Sequence, residues 1–195
     1  MKTWKVSNEV AWTTTGRRHR GHFGLITIST EMDDTTLFIL VDAKRACEKA
    51  QQSYDAISGL LASSLPPTAE MHHVGATAIP GCLTKGDLDI VVRVPAEHFA
   101  DVDLMLASKF IRNNDSIRTV AFSAFENPSS DPHLGIQLTT IGGPFDFFHH
   151  FAQALRSSPR LLEEYNSLKL MFHGLDSSLY RAAKGEFIER VIADF

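Results

Sequence analysis

The chain has 195 residues, enough for one substantial hydrophobic core and too few for two independent ones. A hydrophobic content of 44% and a charged content of 22% are ordinary for a globular protein and argue against disorder. The formal net charge of −4 argues against a nucleic-acid partner. We therefore expect a single α/β domain.

The cysteine count and the apolar runs indicate the compartment. Cys47 and Cys82 are too few for a disulfide framework and match no zinc motif, which favours a reducing environment. No apolar run approaches a membrane span, and the N-terminal stretch lacks the apolar core of a signal peptide. We expect a cytoplasmic protein with no membrane partner.

The first predicted elements are a hairpin and a helix. Two β-rich runs, residues 23–28 and 36–41, are separated by a polar, acidic stretch, which is typical of a hairpin. Asp42 is a favourable N-cap, and small or apolar residues then recur in steps of four and three as far as Leu61. Pro66 and the proline after it prevent the helix from continuing.

The next predicted element is a strand that carries two acids. Residues 88–94 are rich in β-branched apolar side chains, and Pro95 ends the run. Asp87 and Asp89 are two positions apart, so both side chains would project from one face of this strand. Proteins bind Mg²⁺ through one or two carboxylates, waters and substrate phosphate oxygens. This geometry can hold Mg²⁺ or Mn²⁺. The alternative is a polar strand end, whose acids cap a neighbouring turn or pair with Lys85.

The remainder of the chain alternates between turn signals and periodic apolar segments. The predicted elements are a helix over residues 96–108, strands over 117–125 and 134–141, and helices over 145–156, from Ser158-Pro159 to Gly174, and from about Ser178. The phenylalanines at 145, 147, 148 and 151 are more typical of a core than of a base-stacking surface.

Gly75 lies in HVGATAIPG, where a residue without Cβ lets backbone N–H groups approach a phosphate. A small residue pair, about a dozen residues and then Asp-hydrophobic-Asp resembles the signature of the polymerase-β-type nucleotidyltransferase superfamily. With KGDLDIVV, SSPRLLEEYNSLK and YRAAKGEFIERV, the chain more narrowly resembles the GrpB-like family. The resemblance runs from about Asp42 to the C-terminus.

The resemblance implies a fold and an activity. The expected fold is α/β (α+β), a nucleotidyltransferase-like mixed β-sheet flanked by helices. Residues 1–41 would form an N-terminal arm and β-hairpin packed on the domain, and residues 42–195 would form the GrpB-like domain with a C-terminal helical segment. The expected partner is a nucleotide or another phosphorylated small molecule, bound with Mg²⁺ for nucleotidyl transfer. The alternative is a non-catalytic binding or regulatory domain that retains the fold.

The candidate site residues follow from the same motifs. Asp87 and Asp89 are the candidate catalytic and metal-binding residues. The candidate substrate-binding residues are His73, Gly75, Ala76, Thr77, Gln137 and Lys184. A solvated lysine on the surface of a helix is an equally good interpretation of Lys184.

Two departures from the family pattern weaken the expectation of turnover. Ala76 stands where the family usually has Ser, which removes a hydroxyl that could bind phosphate, and Thr77 is a candidate replacement. Gln137 lies where a third carboxylate is expected, and an amide cannot act as a base near neutral pH. Three acids near strand ends could replace it: Asp146, which we rank first, Glu126 and Asp131.

The histidine pairs raise a second metal hypothesis. His72-His73 and His149-His150 could together ligate a transition metal. Adjacent residues point in different directions, so each pair would offer one ligand to a shared site. We favour ordinary hydrogen-bonded histidines.

Overall fold

The computed structural model describes residues 36–193. The N-terminal arm and the first strand of the predicted hairpin lie outside the described residues. The second run of that hairpin includes Leu37, which forms an isolated antiparallel bridge with Asp176. The N–H of Phe38 donates to the carbonyl of Leu175 at 2.8 Å. This run therefore pairs with a segment near the C-terminus.

A five-stranded mixed sheet lies at the centre of the described chain. In chain order its strands are β1 (Glu70–Val74), β2 (Leu88–Val94), β3 (Ile111–Arg112), β4 (Phe122–Asn127) and β5 (Leu134–Thr140). The spatial order is β1-β2-β5-β4-β3, with β2 and β5 parallel and the other neighbours antiparallel. The mixed sheet is confirmed, and the acidic strand β2 lies beside the strand that contains Gln137.

Helices flank this sheet where the sequence predicts them. They are α1 (Ala43–Ala62), α2 (Phe99–Ala107), α3 (Phe148–Ser157), α4 (Pro159–Phe172) and α5 (Ser177–Ile192), with short 3₁₀ turns at Ala76–Ala78 and Ala96–His98. Asp42 caps α1 by accepting the N–H of Arg45 at 2.9 Å, and the Ser158 hydroxyl caps α4 by accepting the N–H of Leu161. Both predicted N-caps are confirmed.

Within residues 36–193, no helix combines the length and the apolar character that crossing a bilayer demands.

Strand β2 separates two hydrophobic clusters because successive side chains on a strand point to opposite faces. Leu88, Ile90 and the other even-numbered residues of β2 pack in the cluster that contains residues of α1 and α2. Val91 packs in the second cluster, with residues of α3, α4 and α5. Asp89 shares the parity of Val91, so it faces the side of the sheet that these last three helices cover.

The strand predicted over residues 117–125 begins later, at Phe122. Val120 is 91% exposed, because it lies in a turn where the N–H of Ala121 donates to the Thr119 hydroxyl. β-Branched residues favour strands only where they have a surface to pack on, and a local side-chain hydrogen bond competes with the strand ladder.

Strands β1 and β3 are missed by the sequence pattern. β1 reads EMHHV, which has no clear alternation of apolar and polar residues. Its pairing with β2, from Glu70 opposite Arg93 to Val74 opposite Asp89, places it in the sheet. A long-range partner therefore defines this strand more than its own composition does.

Candidate functional site

A cleft of about 130 Å³ lies at the start of β2, on the side of the sheet covered by α3, α4 and α5. Most of the candidate residues line it: Gly75, Ala76, Asp87, Asp89, Gln137 and Lys184. They come from the turn after β1, from β2, from β5 and from α5. The fold thus gathers groups that are far apart in the chain into one concave site.

The turn at Gly75 is built against the side chain of Asp89. Gly75 has a φ of +73°, in the left-handed region that favours glycine. An added Cβ would overlap the Oδ2 of Asp89 and lie 2.8 Å from its Cβ. The close approach follows from the register of the strands, which pairs Val74 with Asp89. A glycine is therefore required for the backbone and the carboxylate to share one wall of the cleft.

Asp89 lies in an environment that disfavours its charged form. Burial raises the pKa of its carboxyl above the usual range, Lys184 acts to lower that pKa, and Asp87 acts to raise it. A buried carboxylate becomes stable as an anion when a cation or hydrogen-bond donors compensate it. A cation bound beside Asp89 would supply that compensation.

Asp87 lies just before β2 and is paired with Lys85. Its Oδ2 is 2.6 Å from the lysine Nζ, and the lysine side chain is 49% exposed. This arrangement is the ion pair with Lys85 that competes with the metal hypothesis. A partly exposed pair contributes little free energy, so a divalent cation can replace the lysine at small cost.

Gln137 carries an oxygen without a partner. It lies on the same face of β5 as Gly135, which is in register with Asp89. An added Cβ at Gly135 would lie 3.3 Å from Asp89 Oδ1 and 3.5 Å from Gln137 Nε2, so the glycine leaves room for both groups. Among the described residues, the buried Oε1 of Gln137 has no hydrogen-bond partner. An amide oxygen in this position suits a hydrogen-bond donor or a hard cation.

His73 and Thr77 do not line the cleft, unlike the other candidate substrate-binding residues. The two imidazole nitrogens of His73 lie 3.0 Å from the Thr77 hydroxyl and 3.2 Å from Gln51 Oε1 on α1. The Thr77 hydroxyl donates to the carbonyl of Asp87 at 2.8 Å. Their polar atoms are already paired, so they tie the glycine turn to β2 and α1. Thr77 therefore does not replace the hydroxyl that Ala76 lacks.

The environment of His73 also favours a structural role. Burial lowers the pKa of its imidazole to about 4, and the positive charge of Arg156 acts in the same direction. The ring is consequently neutral at pH 7. A neutral ring packed beside α1 provides no charge for a phosphate.

Asp146 cannot be the third carboxylate, which corrects its first rank among the three acids. It forms a two-point ion pair with Arg93 at 2.6 and 2.7 Å and accepts the N–H of Gly142. Burial acts to raise the pKa of Asp146, but the hydrogen bonds from Arg93 and Gly142 outweigh burial and lower it. Arg93 lies near the end of β2, whereas Asp89 lies at its start, so Asp146 serves the opposite end of the sheet.

The other two acids are also occupied elsewhere. Glu126 is in register with Gly135, which places it on the face and at the end of the sheet where Asp89 lies. Its carboxylate accepts from Asn113 Nδ2 at 3.3 Å. Asp131 is an 83% exposed acid that pairs with Lys49. Glu126 is therefore the better placed of the two, one strand beyond Gln137.

The transition-metal hypothesis for the histidines gains no support. His72 and His149 are neighbours, with stacked rings whose centroids are 5.9 Å apart. His72 Nε2 lies 3.2 Å from Glu70 Oε2. In the part of the chain that the structure describes, no three His, Cys, Asp or Glu side chains are arranged to hold a metal ion.

The cleft also contains residues outside the candidate set. Phe147, Phe148 and Phe151 line it, although the pattern predicts them only as core. Lys169 also lines it and is just 2% exposed, with its ammonium group 4.1 Å from the centre of the Tyr165 ring. The sequence position of Lys169 indicates that it is buried, because it lies one helical turn after Tyr165 on the apolar stripe of α4.

Comparison with known proteins assigns the family. The sequence matches the family described as GrpB protein over residues 41–194. A UPF0157 protein of Vibrio cholerae is 34% identical over 163 residues, which cover 83% of this chain and 84% of the relative. The chain belongs to the GrpB protein family. The predicted family resemblance is thereby confirmed.

A solved structure of a GrpB protein supports the same fold. The conserved protein GrpB from Enterococcus faecalis superposes with a TM-score of 0.55 at 15% identity, covering 74% of this chain and 91% of that one. The GrpB-family fold is therefore shared although the sequences have diverged. A weaker likeness links the chain to the Cid1 poly(U) polymerase in a mutant form bound to MgATP, with a TM-score of 0.46, 13% identity, and coverage of 68% and 43%.

Proposed function

We propose that this GrpB-family protein binds a nucleotide or another phosphorylated small molecule together with Mg²⁺ in the cleft at the start of β2. The observation that carries this proposal is the contact between Gly75 and Asp89, where an added Cβ would overlap the carboxylate. This contact places the backbone of the glycine turn and a buried acid in one wall of the cleft. Phosphate oxygens would meet the turn, and the carboxylate would meet the cation that accompanies them.

The residues of the cleft fit Mg²⁺. Asp87 and Asp89 are hard oxygen ligands, and the unpaired Oε1 of Gln137 is a neutral one. The raised pKa of Asp89 indicates that its anion lacks sufficient compensation from the protein alone. When bound, Mg²⁺ would neutralise these carboxylates and screen the charge of the phosphate. Lys184 on α5 supplies a further positive charge to the same cleft.

The volume of the cleft indicates which part of the ligand it takes. Pockets for whole small-molecule ligands have volumes of roughly 300–1,000 Å³. The cleft here has about 130 Å³, which accommodates a phosphate group and a cation. The remainder of the ligand would extend outside this volume.

We propose binding with weak or absent nucleotidyl transfer. The position expected to carry a third acid is Gln137, and Asp146 is committed to Arg93. Ala76 offers no hydroxyl to the phosphate. Without a third carboxylate, no side chain on β5 can accept the proton of an attacking hydroxyl group. These residues favour a binding or regulatory domain over an active transferase.

Thermal unfolding in the presence of nucleoside triphosphates tests this proposal. A ligand that binds only the folded state raises the melting temperature, and we expect this rise only when Mg²⁺ and the nucleotide are both present. Asp89→Asn should abolish the rise, and Lys184→Ala should reduce it less. Asp101→Asn, which removes an exposed carboxylate from α2, is the matched control and should behave as wild type.

The melting temperature of the ligand-free Asp89→Asn variant provides a second test of the site. Burial penalises the charged form of Asp89, so the neutral, equally sized Asn should not lower the melting temperature of the ligand-free protein. Protonation of Asp89 competes with the metal, and the ligand-induced rise should therefore fade as the pH is lowered through the raised pKa. An equal rise in wild type and Asp89→Asn would refute the proposed site.

A further inference from the structure

Lys169 and Cys82 form a buried pair that the proposed binding of phosphate does not use. Lys169 is 2% exposed and Cys82 is 1% exposed. The lysine Nζ lies 3.0 Å from the cysteine Sγ and also donates to the carbonyl of Leu83. The side chain of Lys169 thus reaches from α4 into the loop that leads to β2.

The backbone around this pair is held in place by a second residue of α4. Asn166 accepts the N–H of Leu83 at 2.8 Å and donates to the carbonyl of Gly81 at 2.9 Å. The loop is therefore anchored on both sides of Cys82. Because these contacts do not depend on Lys169, the amine and the thiol are kept adjacent by the fold itself.

The surroundings favour the reactive form of the amine. Burial lowers the pKa of Lys169, while Cys82 acts in the opposite direction. A lower pKa increases the neutral fraction, which carries the lone pair that a bond-forming step requires. Lys169 also lines the cleft, so a small neutral oxidant that reaches its amine there lies close to Cys82 Sγ, which is 3.0 Å from the amine nitrogen.

We propose that Cys82 and Lys169 are an oxidative modification site, where a peroxide links the two side chains through one bridging oxygen atom. In the first step the thiol attacks hydrogen peroxide, forming a sulfenic acid and releasing one water. The sulfur loses two electrons, and the peroxide is reduced. In the second step the neutral amine and the sulfenic acid react with another peroxide molecule to give N–O–S and two waters, and the nitrogen loses two electrons.

The separation of the two atoms favours this product. At 3.0 Å, the nitrogen and the sulfur are already spaced to hold a single oxygen between them with little movement. A direct nitrogen–sulfur bond would require them to move much closer, against the contacts that Asn166 makes with the loop. A dithiol reverses the cross-link, with two equivalents restoring the thiol and the amine and releasing one water.

The cross-link would change the cleft as well as the loop. It consumes the basic amine of Lys169 in the wall that also contains Asp89, and it joins α4 covalently to the segment before β2. This modification is chemically separate from ligand binding, so either can occur without the other.

Mass spectrometry of the full chain tests the proposal. After treatment with hydrogen peroxide, the intact mass should increase by about 14 Da, one oxygen gained and two hydrogens lost. Proteolytic mapping should join the peptide that contains Cys82 to the peptide that contains Lys169, and dithiothreitol should separate them. Cys47→Ser is the matched control and should retain the product, because Cys47 is the other free cysteine.

Two variants should fail to form the cross-linked product. Cys82→Ser removes the sulfur, and Lys169→Arg keeps the positive charge but removes the primary amine. Circular dichroism checks that both variants remain folded. If one variant does not fold, the peptide mapping of the wild-type protein still shows whether the cross-link forms. A disulfide between the two cysteines, or higher oxidation of Cys82 with Lys169 unmodified, would overturn the proposal.

Discussion

Gly75 shows how one absent Cβ atom shapes the candidate site. Its positive φ alone would favour glycine, as it does at Gly174, where φ is +81°. The two positions differ in their surroundings. An added Cβ at Gly75 would overlap Asp89, whereas nothing lies within 4 Å of one at Gly174. Gly174 is therefore a reference for a positive φ without a steric overlap.

We predict that Gly174→Ala costs about 1 kcal/mol of unfolding free energy, the cost of placing an L-residue in the left-handed region. Gly75→Ala should cost about 3 kcal/mol, because overlap with the carboxylate adds to the strain of a backbone conformation, φ +73° and ψ −173°, that is essentially restricted to glycine. Urea denaturation of both variants measures the difference. Similar costs for the two substitutions would show that the turn can move away from Asp89 freely.

At the scale of elements, the Arg93–Asp146 ion pair joins β2 to the segment between β5 and α3. The side chains are 11% and 6% exposed, so both charges are largely removed from water. Neutralising one partner of a buried pair is costly, and loss of the Asp146 charge would leave Glu70 as the acid that still pairs with Arg93. This pair therefore holds the helix that covers the cleft onto the sheet, while contributing no ligand to the cleft.

We predict that Asp146→Asn destabilises the protein by about 3 kcal/mol. The pKa of Asp146 is lowered in the folded state, so its contribution is present above the pKa of the unfolded chain. That contribution is lost as the pH falls through the lowered value. Denaturation curves at several pH values should show the wild-type advantage shrinking in acid.

A matched substitution at the surface checks this interpretation. Glu164 pairs with Arg160 and Arg190 on the exposed side of α4 and α5. Glu164→Gln should change the stability little, because solvent screens exposed pairs. If Asp146→Asn were equally mild, the pair would not anchor α3.

At the scale of the whole molecule, the parallel pairing of β2 and β5 decides which side chains meet. This pairing places Gln137 on the same face as Asp89 and inside the same cleft. The site therefore has two carboxylates and an amide where a transferase would be expected to have three carboxylates. Its net charge is less negative, which would weaken the binding of a second metal ion at the proposed site.

We predict that Gln137→Glu or Gln137→Asp increases the affinity for Mn²⁺ by about tenfold, the scale on which changes around a metal alter binding. Titration of Mn²⁺ followed by electron paramagnetic resonance measures this affinity. Gln52→Glu adds the same charge on the exposed face of α1 and should have no such effect. An unchanged affinity would mean that position 137 does not face the metal.

Turnover provides the corresponding functional measurement. Wild-type protein should show weak or no incorporation of a labelled nucleotide. If a third acid restores transfer, incorporation should appear in Gln137→Glu or Gln137→Asp. Robust transfer by the wild-type protein, insensitive to changes at Asp146, Asp131 and Glu126, would contradict the argument from the missing third acid.

Local patterns in the sequence were sufficient for the helices, the acidic strand and the family. The N-caps at Asp42 and Ser158 depend on a few consecutive residues, and the strand that carries Asp89 follows from a short run of β-branched apolar residues. Period and capping act over one or two turns of chain, so they can be read without a fold. The family motifs are likewise short and contiguous.

Only the tertiary structure decided which of those residues meet at the cleft. His73 and Thr77 belong to the motif, yet hydrogen bonds within the fold direct them away from it. Lys169 and Cys82 are 87 positions apart and become neighbours through the packing of α4 on the loop before β2. Contacts between distant segments depend on register and helix packing, and no local period in the sequence specifies either of these.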